Sequence, residues 1–369
     1  MKIPRQNLRI PGPVPCPPEV MEAMGNPMIN HRGPEFKNLL YSTTDRLKQV
    51  FMTANDLYIL TASGTGALEA SLVNTLSPGD KVLAAVTGSF GQRYADMAET
   101  LGAQVTRLEF EWGTAVDPAA LRAALEANPE VKAVLVTHNE TSTGVTNDLE
   151  TIAAIVKGEF DRLLLVDAIS SLGCIPLPVD RWGCDVVATA SQKGFLVPPG
   201  LSFISFSPRA WEAQRKATVR GFYFDLATAQ SYLERGQTPF TPSLSLFYAL
   251  DLALDTLLTQ GLEETYTRHA YFGQMTREGV KALGLSLLPD ERWASNTVTA
   301  VRIPEGVDGK ALTDTLRTEH GVVVAGGLGK LEGKIIRIGH MGTVSEEDIR
   351  GFLEALRATL PTVGFKVPA

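Results

Sequence analysis

Apolar runs and helical stripes alternate along most of this chain. From about residue 57, "LYILTAS" precedes "GALEASLVNTL", "KVLAAV" precedes "GQRYADMAETLG", and "QVTRLEF" precedes "PAALRAALEANP". The alternation continues through "KAVLVTH", "LETIAAIVKG", "RLLLVDA" and "DVVATAS". Strands apolar nearly throughout and spaced by helices predict a mainly parallel sheet covered on both faces. "LSFISFS" (201–207) follows a loop with no helix, so it is read as an antiparallel strand. Long helices are predicted from about Leu244 to Gln260 and from Glu263 to Leu283. A smaller α+β unit follows: "TVTAVRIP", "GKALTDTLRTEHG", "VVVAGG", "KIIRIGHM" and a closing helix. In that helix Ile349, Phe352, Leu353 and Leu356 recur at helical spacing, and Ser345 with Asp348 reads as a capping pair. The predicted fold class is α/β, a large domain with a mainly parallel sheet plus a small α+β C-terminal domain. Its boundaries are set at 1–16 for an N-terminal segment, 17–249 for the large domain, and 250–369 for the small domain with its linking helix.

Composition narrows the picture. At 369 residues the chain exceeds the size at which one hydrophobic core usually stops growing. With 44% hydrophobic and 20% charged residues it has the make-up of an ordinary globular protein. A net charge of −7 and the lack of any basic run argue against nucleic acid or an anionic membrane as partner. "MKIPRQNLRIPGPVPCPPEV" lacks the apolar core of a signal peptide, and no apolar run is long enough to span a bilayer. Cys16, Cys174 and Cys184 are scattered, and His31, His138, His269, His320 and His340 form no i, i+4 pair. Neither a disulfide framework nor a metal site is indicated. A cytoplasmic protein without structural metal is expected.

Candidate chemistry is sought at the carboxyl ends of the strands, where open parallel sheets bind ligands. "TASGTGALEA" puts Ser63, Gly64, Thr65 and Gly66 before a helix expected to begin near Ala67. Small residues at a helix N-terminus expose N–H groups to an anion such as phosphate. Taken alone, a Gly-rich turn that binds nothing fits equally well. "LLLVDA" ends in Asp167, which by itself reads more readily as a cap of the following turn. "ATASQKGFLVPPG" delivers Lys193 from the end of a buried strand, where a surface loop lysine is the plain alternative. Together, a phosphate cup, an acid and a lysine at three strand ends are the parts that hold pyridoxal 5'-phosphate. The lysine bonds the aldehyde, and the acid keeps the pyridine nitrogen protonated.

At these motifs the chain resembles a known family. "TASGTGALEASLVNTLSPGDKVL", "HNETSTGV", "LLLVDAISSLG" and "SQKGFLVPPGLSFISFS" are similar to the class V, fold-type I pyridoxal-phosphate aminotransferases, nearest to the alanine–glyoxylate / serine–pyruvate group. The resemblance runs from "PGPVPCPPEV" to "IIRIGHMG". It implies that Lys193 is the Schiff-base lysine and proton carrier, that Asp167 pairs with the pyridinium nitrogen, and that Ile169 lies against the ring. Phe90, where relatives often carry Trp, would stack on the other face, and Thr141 would bond near the phenolic oxygen. Ser63, Gly64, Thr65 (His in some relatives) and Gln192 would hold the phosphate. Thr241 would reach the phosphate of a neighbouring subunit, which requires a homodimer. Arg337 would bind the substrate α-carboxylate, for which a guanidinium fork is suited. Gly12 would line the substrate pocket, with His138 and Asn139 near it, and the N-terminal segment would pack by the active site and the small domain.

The implied activity is ping-pong transamination from alanine or serine to glyoxylate or pyruvate. A transaminase for aspartate, phosphonate or phosphoserine is the alternative; it would want further cations in the pocket, for which Arg32, Arg93 and Arg220 are candidates. A cysteine desulfurase would need a cysteine beyond Cys184, and there is none. A non-catalytic subunit of this fold would not need Lys193, and a hydrogenase centre would need clustered thiolates. A nicotinamide dehydrogenase would need a glycine fingerprint that the chain lacks.

Overall fold

The structure is a computed structural model and describes residues 6–219 and 221–368. Seven strands form the main sheet: β1 (Asp56–Leu60), β2 (Lys81–Val86), β3 (Gln104–Glu109), β4 (Ala133–Thr137), β5 (Leu163–Asp167), β6 (Val186–Ala190) and β7 (Ser202–Phe206). Their order across the sheet is β1-β7-β6-β5-β4-β2-β3. Strands β2 to β6 pair in parallel, while β7 runs antiparallel to both β6 and β1. "LSFISFS" is therefore the antiparallel strand the sequence predicts. Because β7 alone is reversed, β1 points the same way as β6, and the carboxyl ends of six strands share one edge.

Every residue of β4, β5 and β6 is buried, as expected of strands covered on both faces. On one face of the sheet the core includes Phe203 of β7 with Leu121, Ile152 and Phe247; on the other it includes Phe206 of β7 with Leu68, Leu72 and Tyr94. Only β3, at the edge, keeps largely accessible side chains. The Leu244–Gln260 helix lies where predicted and packs on a helix the sequence reading did not anticipate, Pro34–Phe51. Phe36 and Phe247 meet edge to face with ring centroids 5.2 Å apart.

The C-terminal sheet comprises β8 (Val298–Arg302), β9 (Ala325–Gly326) and β10 (Ile335–Gly339), in the order β8-β10-β9. The helices Leu262–Ala282, Gly309–His320 and Glu346–Thr362 cover it over a core that includes Val301, Leu316, Ile336 and Phe352. The Ser345 hydroxyl accepts from Asp348 N and the Asp348 carboxylate accepts from Ser345 N, so the predicted capping pair is a full capping box. Among the described residues no helix is long and apolar enough to cross a membrane.

The N-terminal segment joins the two units. Asn7–Leu8 pairs in parallel with Val322–Val323 of the C-terminal unit, and Val14 N donates to Gln192 O just beyond β6.

Truncating the Phe36–Phe247 contact tests this packing. Phe247→Ala leaves a void between two long helices and is expected to cost about 3–5 kcal/mol, read as a lower urea midpoint.

Candidate active site

The shared carboxyl edge of the sheet borders a pocket of about 240 Å³. Its wall brings together Ser63, Gly64 and Thr65 from beyond β1, Phe90 from beyond β2, and Asn139 and Thr141 from beyond β4. Asp167 at the end of β5, Ile169 after it, and Gln192 and Lys193 beyond β6 complete the floor, with Gly12 arriving from the N-terminal segment. A larger groove of about 720 Å³ runs between the Leu262–Ala282 and Glu346–Thr362 helices. It is lined by residues such as Gln274, Glu278 and Arg350 and holds none of the strand-end groups, so the smaller pocket is the chemically organised one.

Local sequence explains each placement. The Gly64–Val73 helix starts three residues earlier than predicted, so Gly64 and Thr65 lie in its first turn, where N–H groups lack helical partners. Ser63, its N-cap residue, makes no side-chain cap, so those donors stay available. A Cβ at position 64 would stand 2.6 Å from Ile169 Cδ1, so only glycine lets Ile169 close on this turn. At Gly12 (φ +139°) a Cβ would stand 2.5 Å from Lys193 Nζ, and that amine donates to the Pro11 carbonyl at 2.5 Å. The N-terminal segment therefore lies directly on the lysine.

Withdrawal from water sets the electrostatics. Desolvation raises the Asp167 carboxyl to about 7, against an Ile169 N–H that donates to it at 2.9 Å and the nearby Lys193 and Arg93 charges. The same effect, reinforced by the Arg337 charge, lowers the Lys193 amine to about 8. Both groups therefore titrate close to ordinary pH.

A hydroxyl and amide network fixes the β4 side of the pocket. Thr141 Oγ1 donates to Ser170 Oγ at 2.6 Å, and Ser170 Oγ donates to the Asn139 carbonyl at 2.9 Å. Asn139 Nδ2 reaches Ser170 Oγ and, across to the C-terminal unit, Thr297 Oγ1. Ser170 is a wall residue that sequence reasoning missed, although it stands next to Ile169 in the quoted "DAISS".

Three predicted residues lie elsewhere. Arg337 is not among the wall residues but lies next to them, donating from Nη1 to the Thr141 carbonyl at 3.3 Å and from Nε to the Gly326 carbonyl at 2.8 Å. Thr241 lies apart in this chain, in a shallow depression with Thr61, Tyr223 and Phe240. His138 does not join the pocket. Asn139, its neighbour, takes the pocket side, while His138 turns to the edge of the Trp182 ring, 6.0 Å away, where burial lowers its pKa to about 4. Of the candidate cations, Arg93 lines the pocket with its guanidinium 4.9 Å from the Phe90 ring centroid. Arg32 is turned to Gln237, Thr238 and Pro239, and Arg220 lies outside the described residues.

Two observations test whether these residues suit pyridoxal phosphate. The first-turn amides beyond Ser63 have no side-chain cap, and Gln192 Oε1 is buried beside them in the wall without a partner. An acid and an amine of near-neutral character flank the remaining space. The donor set and the buried pair fit a phosphate at one end and an aldehyde and a ring nitrogen at the other.

The raised Asp167 pKa has a stability consequence. The unfolded carboxyl ionises near 3.8, while the folded one holds its proton to about 7, so its contribution to stability falls as pH rises across that window. Asp167→Asn keeps an acceptor for Ile169 N–H. It is expected to flatten that dependence and to stabilise the ligand-free chain near pH 8 by on the order of a few kcal/mol, measured by urea unfolding on both sides of the window.

Comparison with known proteins agrees with this geometry. The family model for aminotransferase class V matches residues 15–349. A serine–glyoxylate aminotransferase of Methylorubrum extorquens is 39% identical, the match covering 98% of this chain and 93% of that protein. A protein of Synechococcus sp. named as the small subunit of a soluble hydrogenase is 42% identical over 97% of this chain and 94% of its own length. The crystal structure of an alanine–glyoxylate aminotransferase from Nostoc sp. superposes with a TM-score of 0.94 at 36% identity, covering 98% of this chain and 96% of that one. A half-buried lysine and a buried acid at neighbouring strand ends, in a chain matched over nearly its whole length, place it among the class V aminotransferases, pyridoxal-phosphate enzymes of fold type I.

Proposed function

We propose that this enzyme transfers an amino group from a small amino acid, alanine or serine, to a small 2-oxo acid, glyoxylate or pyruvate, the two substrates binding in turn. The observation that carries the proposal is Lys193 on the pocket wall, whose amine desolvation lowers to about 8. Pyridoxal phosphate, when bound, supplies the carbonyl that exchanges for the amino group and a ring that accepts the electron pair released at the substrate Cα. Ser63, Gly64, Thr65 and Gln192 would hold its phosphate, Phe90 and Ile169 would enclose its ring, and Thr141 would hold its phenolic oxygen. Asp167 would bond the ring nitrogen, a cationic partner that favours the ionised carboxylate which burial alone disfavours.

Lys193 Nζ takes the proton from Cα and returns it, which requires the neutral amine; a value near 8 makes that form accessible where an exposed lysine would hold its proton. The Pro11 carbonyl holds the free amine in place between transfers. Arg337 would bind the α-carboxylate of donor and acceptor alike, the Thr141 and Gly326 carbonyls aiming its fork. Gly12 against Lys193 leaves little depth beyond the amine, which supports a short substrate side chain.

We further read the protein as a homodimer in which Thr241 of one subunit serves the other's pocket; its separation from the pocket within one chain supports this. The division at 1–16, 17–249 and 250–369 is part of the same reading. Three unpaired cysteines suit a reducing, cytoplasmic compartment. One observation favours a second specificity: Arg93 on the pocket wall would suit a donor with an acidic side chain, such as aspartate.

Visible absorbance separates these readings. L-alanine or L-serine should bleach the band of the cofactor-loaded protein, and glyoxylate or pyruvate should restore it. Bleaching by L-aspartate alone would instead select the second specificity. Lys193→Ala should lower turnover by about 10²- to 10⁴-fold with unchanged far-ultraviolet circular dichroism; retained turnover would remove Lys193 from its role. Arg337→Ala should raise KM for amino and oxo acids by about 10- to 100-fold with a smaller change in kcat.

A further inference from the structure

Among the buried ionisable groups that the mechanism leaves unused is a carboxyl group beside the pocket. Glu140 lies between the pocket residues Asn139 and Thr141, on a short hairpin formed by Asn139–Glu140 and Val145–Thr146. Its side chain is 0% exposed. Among the described residues no cation pairs with it within 4.0 Å. Such a carboxylate is tolerated only where other donors replace its water.

Those donors come from two places. Ser142 gives its N–H at 3.0 Å and its hydroxyl at 2.6 Å to Oε1. Phe90 N at 3.1 Å and Gly91 N at 2.9 Å both donate to Oε2. The latter two are first-turn amides of the Ser89–Thr100 helix, whose N-cap residue Gly88 has no side chain to offer them. Glu140 therefore caps this helix from a different segment of the chain; burial raises its pKa, while these donors and the positive end of the helix dipole favour its ionised form. The approach depends on Gly88, where a Cβ would stand 2.5 Å from Glu140 Cδ and 2.4 Å from Ser142 Oγ.

The cap acts on the pocket from both sides. One of the two amides it holds on the helix is that of Phe90, whose ring forms part of the wall. The next residue along the hairpin is Thr141, whose carbonyl accepts from Arg337. We propose that Glu140 is a positioning residue whose carboxylate locks the Phe90 turn to the β4 hairpin, so that the ring-stacking wall and the carbonyl that aims Arg337 are set as one rigid unit. This rests on the reading of Phe90 as the residue that stacks on the cofactor ring.

Glu140→Gln tests the charge with almost no change in volume. A glutamine offers one acceptor oxygen, and its amide N–H₂ would face groups that are themselves donors. In the purified holoenzyme, E140Q should keep its far-ultraviolet circular dichroism. Its dissociation constant for pyridoxal phosphate should rise about tenfold, and the visible circular dichroism of the bound cofactor, which reports how the ring is held, should diminish. Because the effect runs through Phe90, adding E140Q to Phe90→Ala should weaken cofactor binding little beyond Phe90→Ala alone. E140Q with wild-type affinity and wild-type visible circular dichroism would overturn the proposal, as would losses that multiply in the double variant. Should E140Q not fold, Gly88→Ala disturbs the same contact without altering charge and is held to the same outcomes. A wild-type protein that takes up no pyridoxal phosphate would defeat the underlying reading, a result distinct from a wild type that binds it and an E140Q that binds it equally well.

Discussion

The site depends on keeping an acid and an amine out of water at the ends of adjacent strands. Asp167 closes β5 opposite Ala188 of β6, and Lys193 follows β6. Burial drives each toward its uncharged form, to about 7 and about 8. In water the two would be a plain carboxylate and a plain ammonium. Here the protonation of each responds to what occupies the space between them, and so a ligand bound there can direct a proton. The arrangement requires a scaffold that does not yield, which three central strands buried along their whole length provide.

Approach distances impose the next constraint, and glycines meet it. Gly64 admits Ile169, Gly12 admits Lys193 and Gly88 admits Glu140, each where a methyl group would stand within 2.6 Å of another side chain. The three lie on different segments, so the pocket is closed by close contact from several directions rather than by one lid. A group held in this way loses little further freedom when a ligand arrives.

What the sequence discloses follows from burial. Strands covered on both faces stand out as unbroken apolar runs, and β2 occupies its predicted residues, Lys81–Val86. The three strand-end groups were legible because polar residues closing such runs are conspicuous. The Pro34–Phe51 helix was not, because Thr43 and Thr44 interrupt its apolar stripe. Their hydroxyls bond back to the Leu39 and Leu40 carbonyls, which lets both pack as if apolar. The β4 hairpin was too short for any periodicity, and so the capping role of Glu140 in "HNETSTG" had no local signature. His138 was misplaced for a simple reason: sequence adjacency to Asn139 implies the opposite side of an extended chain, not the same pocket.

The N-terminal segment ties these levels together. Arg9 N donates to the Val323 carbonyl and the Arg9 carbonyl accepts from Gly339 N, so the segment is laced to β10 two residues beyond Arg337. Two residues after Arg9, the Pro11 carbonyl holds Lys193. The Val14 amide then fastens the chain to Gln192. Position 339 must be glycine for this lacing, since a Cβ there would meet the Ile10 carbonyl at 2.1 Å. Any shift of the C-terminal unit against the large sheet must pull on the segment whose Pro11 and Gly12 lie against the lysine. The strand that carries Arg337 and the amine of Lys193 are thus joined through a few residues of the N-terminal segment, held by main-chain hydrogen bonds at Arg9 and Val14 and by the Lys193 contact to the Pro11 carbonyl.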